Sequence, residues 1–335
     1  MKRKALKFLG SACLAGAVLL GAGEAAAVDS AAGTATGSFL KVGGSARSLA
    51  MGGAGTVLLA ESGALWVNPG QLAGLPAPEF SYTRGQWVQD IEVNQVSFAG
   101  PLPIGTIGAA VDMLDMGAID SYDASGAAAG SIQPKDTAVV CGYAGEPFSE
   151  KFGAGISVTY LRSELAEDAQ VSGVAVDVGG RFEVLPNLTF AAAVQHAGPG
   201  MKFGKKASDL PMVVRGGASA RLMGERVQLV ADVMKPSDGV PEFLGGAELS
   251  QIFGDVTLSL RGGWRSVAPQ GSNAGFSAGG GLRWHPKKPL GSDEMIDSEL
   301  GTADSLRLSG LRVDYAWTPM GELGVANWLS FSIAF

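Results

Sequence analysis

The sequence has 335 residues but only two cysteines, two histidines and 17% charged residues, against a usual charged share of about 25%. Neither His196 nor His285 has a carboxylate or cysteine at ligand spacing, so a zinc site or a catalytic triad is not expected. No cofactor or metal is implied. With 25 Lys+Arg against 32 Asp+Glu the net charge is -7, which excludes a protein that binds nucleic acid by neutralising phosphates. Beyond the first thirty residues no run of 18 apolar residues occurs, which excludes helical membrane spans. Glycine is abundant instead, at 50 residues beside 46% hydrophobic residues, a mixture foreign to collagen and to disordered chains.

Two glycine patterns lead to no chemistry. Gly275-Phe276-Ser277-Ala278-Gly279 matches the G-x-S-x-G of hydrolases, but that motif acts on a sharp strand-to-helix turn, and here it sits within an alternating strand pattern. The pairs Gly43-Gly44 and Gly52-Gly53 lack the G-x-G-x-x-G spacing and the preceding strand of a nucleotide site. No enzyme is expected.

At the amino terminus, Lys2, Arg3, Lys4 and Lys7 precede an apolar run over 8–20, and Ala25-Ala26-Ala27 follows. This is the pattern of a secretory signal peptide, 1–27, and its run of about 13 residues is too short to span a bilayer. Cys13 lacks the flanking pattern of a lipidation site. Cleavage after Ala27 removes four basic residues and Glu24, leaving 21 basic and 31 acidic residues. One cysteine remains, Cys141, so no intrachain disulfide forms despite the oxidising compartment.

The remainder alternates with period two, which places successive side chains on opposite faces of a strand. Phe152, Ala154, Ile156, Val158 and Tyr160 share one face, and Gly153, Gly155, Ser157, Thr159 and Leu161 the other. Such segments fall at 77–84, 92–100, 104–115, 136–146, 151–163, 171–185, 187–196, 211–222, 226–234, 243–252, 255–266, 273–284, 305–317 and 327–335. Fourteen strands make an even number, as a closed bacterial outer-membrane barrel requires. The expected fold is an all-β, fourteen-stranded antiparallel transmembrane barrel over 77–335, with an amino-terminal hatch or plug over 28–76.

Connection lengths alternate as they do in such barrels, with short periplasmic turns and longer external loops. The short links are 101–103, 147–150, 186, 223–225 and 253–254; the long ones are 116–135, 163–170, 197–210, 235–242 and 267–272. The acidic stretch 286–304 breaks the rule and reads as a solvated insertion. The last strand sets Leu329, Phe331, Ile333 and Phe335 on one face, the kind of terminal strand read by the outer-membrane assembly machinery. Tyr82, Trp87, Tyr160, Trp264, Trp284, Trp317 and Trp328 lie near strand ends, where aromatic belts meet membrane lipids. By parity Asp177, Arg181, Arg215, Arg221, Asp232, Glu248, Arg261, Arg265 and Arg283 face the lumen. A dry core would not hold these charges unpaired, so they need water, mutual pairing or a plug, and a wall-to-plug network of ion pairs is at least as natural as a substrate path.

The string GTATGSFLKVGGSARSLAMGGAGTVLLAESGALWVNPGQLAGL before the first strand closely resembles the amino-terminal signature of the PorV/PorQ family, relatives of FadL-type outer-membrane transporters. The ending DYAWTPMGELGVANWLSFSIAF resembles that family's last two strands; between the two strings the likeness is architectural. The resemblance implies a fourteen-stranded barrel closed by a hatch, with Trp66, Asn68, Pro69 and Gly70 at its turn; Gly70 stands where the family usually has Ala. Pro69 fixes its own φ and biases Asn68 away from helix, so Asn68 is expected to hold the hatch shut through backbone hydrogen bonds. Two functions follow from the resemblance. One is passive uptake of hydrophobic or amphipathic small molecules, collected by loop residues such as Met201 and Phe203 and released by a hatch shift or a lateral opening. The other is binding or shuttling of secreted cargo proteins in type IX secretion.

Overall fold

Inward small or polar residues alternating with outward apolar ones leave each segment two distinct faces, and a sheet with a lipid face and a lumen face satisfies both. In the computed structural model residues 35–335 are described except 59–60, 124, 167–168, 204–205, 267–274 and 287–307. The signal segment, the first residues of the 28–76 segment and nearly all of the acidic stretch 286–304 lie outside the described residues.

The strands are β1 (Glu79–Gln86), β2 (Glu92–Leu102), β3 (Gly105–Asp115), β4 (Ile119–Tyr122), β5 (Ala128–Ile132), β6 (Lys135–Ser149), β7 (Phe152–Ala166), β8 (Ala169–Leu185) and β9 (Leu188–Ala197). They continue as β10 (Met201–Phe203), β11 (Lys206–Ser208), β12 (Val213–Leu222), β13 (Val227–Pro236), β14 (Glu242–Phe253), β15 (Val256–Arg265), β16 (Phe276–Trp284), β17 (Gly310–Pro319) and β18 (Val325–Ala334). Fourteen of them form one closed antiparallel barrel in the order β1-β18-β17-β16-β15-β14-β13-β12-β9-β8-β7-β6-β3-β2. Closure comes from β1 pairing with β18, from Glu79 opposite Ala334 to Gln86 opposite Asn327. The Phe335 N–H donates to the Pro78 carbonyl at 2.9 Å, so the barrel begins and ends at the same rim, the one that carries the short turns.

Side-chain exposure follows the alternation. On β7, Ile156, Val158 and Tyr160 are roughly half exposed at 47%, 48% and 49%, whereas Ser157, Thr159 and Leu161 are buried at 1%, 2% and 0%. Leu329 and Phe331 of β18 face outward and Ser330 and Ser332 inward. An apolar outer band over a polar inner face is the arrangement of a transmembrane barrel.

Several expectations change in detail. The link 163–170 is no long loop: β7 and β8 stay paired up to Ala166 opposite Ala169. The long links after β3 and β9 each carry a hairpin of their own, β4 with β5 and β10 with β11. Met201 does not present itself to solvent; β10 lies against β8, and Met201 sulfur would be 2.8 Å from a Cβ at Gly173. Trp328 belongs to no lipid belt, since it precedes outward Leu329 and is 3% exposed inside the barrel, over Gly85. His196, at the end of β9, is buried at 6% with φ 57. Its N–H donates to Asp177 Oδ1 at 2.5 Å. The ladder irregularities between β6 and β7 and between β8 and β9 are register shifts, and every neighbouring pair of barrel strands remains hydrogen-bonded, so the described wall has no unpaired seam for a lateral opening.

Candidate functional site: the hatch and its seat

The described residues of 35–76 fill the lumen as short turns, because glycines and prolines leave no stretch long enough for a stable helix. A 3-10 turn at Ser38–Lys41 leads to helix α1 (Ala46–Ala50), whose Ser45 side chain accepts from the Ser48 N–H. Two further 3-10 turns follow, Ser62–Trp66 and Pro69–Gly74. The Asn68 side chain closes the second: Oδ1 accepts from Gly70 N at 3.0 Å, and Nδ2 donates to the Thr56 carbonyl at 2.9 Å and the β8 Gly180 carbonyl at 3.2 Å. Gln71 Nε2 reaches the same Thr56 carbonyl at 2.7 Å. The neighbouring Trp66 carbonyl accepts from Gln195 of β9 at 2.8 Å.

Much of the glycine excess belongs to this contact. A Cβ at Gly70 would lie 2.6 Å from the Gly179 carbonyl oxygen, and one at Gly155 would lie 2.6 Å from the Pro69 carbonyl. On the far wall a Cβ at Gly263 would lie 2.0 Å from Gly52 N, and one at Gly246 would lie 2.4 Å from Met51 Cβ. Gly52 itself has φ 75, a conformation that costs a side chain about 1–2 kcal/mol. Hatch and wall therefore meet backbone to backbone, which only glycine permits. At Gly70 the wall leaves no room for a methyl group.

Ser277, the apparent nucleophile of the G-x-S-x-G string, is consumed by the same seat. Its hydroxyl donates to the Ala50 carbonyl at 3.0 Å and accepts from Gly52 N at 2.9 Å.

Ion pairs run across the lumen. Arg47 of α1 holds Glu248 of β14, with Nη2 and Oε1 at 2.9 Å. Arg261 joins Glu248, with Nε and Oε2 at 2.5 Å, to Asp314 at 2.7 Å. Arg312 then contacts Asp314 at 3.2 Å, hatch Glu61 at 3.1 Å and Glu79 at 3.5 Å. Burial alone pushes the Arg47 guanidinium down, but Glu248, with Glu61 and Asp314 beyond, raises it above its ordinary value. It is a permanent cation. Of the charged residues expected inside, Asp177 is held by His196 N–H and by Ser157 Oγ at 3.0 Å. Arg181 pairs with Glu146 at 2.7 Å, Asp232 accepts from Thr56 N at 2.8 Å, and Arg265 pairs with Glu242. Arg221 turns to the short-turn rim, where it donates to the Pro186 carbonyl and meets Glu225 at 3.2 Å. Arg215 and Arg283 line cavities. Five members of the network are missing from the expected set: Arg47, Glu61, Glu79, Arg312 and Asp314. The last two were legible, because Leu311, Val313, Tyr315 and Trp317 alternate with them toward lipid.

The hatch divides the lumen. Above it, toward the long loops, lies a chamber of about 150 Å³ lined by apolar Leu49, Trp87, Met320 and Trp328 on one side and by Lys41, Arg215 and Arg265 on the other. Below it, at the short-turn rim, lies one of about 160 Å³ beside Leu75, Arg283 and Arg312. A cavity of about 150 Å³ accommodates a benzene-sized molecule.

No family model and no curated protein matches the sequence. The fold is similar to solved outer-membrane barrels. The toluene transporter TodX of Pseudomonas putida is 11% identical, with 87% of this chain and 97% of that chain covered and a TM-score of 0.54. The toluene transporter TbuX of Ralstonia pickettii is 14% identical over the same shares, with a TM-score of 0.53. A FadL homologue of Pseudomonas aeruginosa is 8% identical, covers 87% and 98%, and has a TM-score of 0.54. At these identities the likeness is one of fold: a closed barrel of the FadL type.

Proposed function

We propose that this protein is an outer-membrane channel for the passive passage of small hydrophobic or amphipathic molecules, with the turn Trp66-Asn68-Pro69-Gly70 as its gate. The observation that carries the reading is the chamber of about 150 Å³, with an apolar side of Leu49, Trp87, Met320 and Trp328, set on a hatch that noncovalent contacts seat against the wall. The similar structures described as toluene transporters support the same solute size. Passage down a gradient needs neither cofactor nor catalytic group. The signal segment 1–27 delivers the chain to the envelope, and the terminal strand with Leu329, Phe331, Ile333 and Phe335 presents it to the assembly machinery and to outer-membrane lipids.

The cargo-shuttling alternative in type IX secretion rests on the PorV/PorQ-like terminal strings. The described part of the amino-terminal string forms the seated hatch, where Asn68 is fully buried, which supports a gate over a docking surface for secreted proteins.

Asn68→Ala removes three hydrogen bonds, two within the hatch and one to the β8 wall, and the wall bond contributes a net of roughly 0.5–1.5 kcal/mol. The unseated fraction should rise by about two- to twelvefold. Planar bilayers are expected to show a raised leak conductance, and benzene-sized solutes should enter proteoliposomes faster. Conductance identical to the parent protein would refute the gate.

A further inference from the structure

The lumen arginines Arg47, Arg181, Arg261, Arg265 and Arg312 each have a carboxylate within 4.0 Å. Arg283 has no hydrogen bond or ion pair among the described residues, although it is only partly exposed. Holding an unpaired guanidinium away from bulk water costs several kcal/mol unless something satisfies it. Arg283 borders the chamber of about 160 Å³ at the short-turn rim, together with Arg312, His285 and Glu79, whose carboxylate is taken up by Arg312 at 3.5 Å and by Ser62. Arg312 spends one nitrogen on Glu61 and Ser332, while its buried Nη1 has no partner. Leu75, Pro76 and Ala77 supply an apolar side to the same chamber.

We propose that this chamber is an oxyanion site, in which Arg283, aided by Arg312, binds the carboxylate of a small amphipathic molecule whose apolar part rests on Leu75, Pro76 and Ala77. The guanidinium fork matches a carboxylate bidentately. The volume admits one ring or a short chain. A phosphate lacks the apolar body that the Leu75 side is built to cover. Partial burial, and then the positive charge of Arg283, lowers the pKa of His285, so at neutral pH it offers a hydrogen bond without a charge. The site goes beyond passage of neutral molecules, which requires no cation at the rim.

The test is calorimetric titration of the full-length protein in mild detergent with benzoate, inorganic phosphate and toluene. Benzoate is expected to bind, and Arg283→Gln to weaken it at least about tenfold, as expected for loss of a charge-assisted bidentate contact. Arg283→Lys should fall between the two, because it keeps the charge without the fork. Phosphate bound as tightly as benzoate, and lost equally in Arg283→Gln, would overturn the carboxylate assignment in favour of a free phosphate or a lipid headgroup. No binding of either anion, or equal benzoate binding by Arg283→Gln, would overturn the site itself. Toluene uptake by proteoliposomes of Arg283→Gln is read separately; if it is unchanged, the channel function stands whatever the anion result.

Discussion

Replacing Arg312 by alanine is expected to destabilise the protein by about 3–5 kcal/mol, the usual cost of removing one partner from a buried ion-pair cluster. Arg312 is where hatch and wall charges converge: Glu61 comes from the hatch, Glu79 from β1 and Asp314 from β17. Without it, among the described residues Glu61 keeps a hydrogen bond from the Ser45 hydroxyl at 3.2 Å, and Glu79 those from the Ser62 N–H and hydroxyl. Both are weak compensation for a buried carboxylate. Because Glu61 is the partner that belongs to the hatch, the loss should appear first as release of the hatch, with higher conductance and faster amide exchange over residues 61–75, and then as a lower thermal midpoint. Adding Glu61→Ala should recover part of the loss, since the two changes act on one interaction. Additive effects of the two substitutions would show that the pair does not couple hatch to wall.

Gly263→Val and Gly262→Val, adjacent residues on opposite faces of β15, are expected to differ sharply. At Gly263 a Cβ would lie 2.0 Å from Gly52 N and 2.1 Å from the Met51 carbonyl carbon, backbone atoms that have no rotamer to change. At Gly262 a Cβ meets nothing within 4 Å and points to lipid. The first variant must lift Met51 and Gly52 off the wall, break the Gly52 bond to Ser277 and leave a conducting lumen. The second should assemble and conduct like the parent, or gain slightly from β-branching in a strand. Single-channel recordings of the two distinguish seat from wall. Equal conductance would mean that the hatch does not rest on this surface.

The barrel was legible in the sequence because its determinant is local: period-two alternation survives in each strand regardless of its neighbours. All fourteen segments correspond to barrel strands. The ends were less legible. Ser163 to Gln170 reads as polar loop, yet β7 and β8 run through it, because a hairpin projecting past the membrane needs no apolar face. The inward set was read from parity, which placed Glu248 and Arg261 but supplied no partners. Partners 201 residues apart, such as Arg47 and Glu248, meet only once the barrel has closed around the hatch. The glycine excess was visible and its purpose was not: Gly155, Gly179, Gly246 and Gly263 are a surface cut for particular hatch atoms. Nothing in their own sequence neighbourhood says which segment will lie there.

The central claim is that solutes pass only when the hatch leaves its seat. Ser62 of the hatch and Ser97 of β2 have hydroxyl oxygens 2.8 Å apart, close enough for a disulfide after Ser62→Cys and Ser97→Cys, with lipid-facing Cys141 replaced by alanine. Toluene uptake into proteoliposomes, measured on this variant oxidised and then reduced, tests the claim most directly. Uptake is expected to stop on oxidation and return with reductant; equal uptake in both states would show that the route bypasses the hatch.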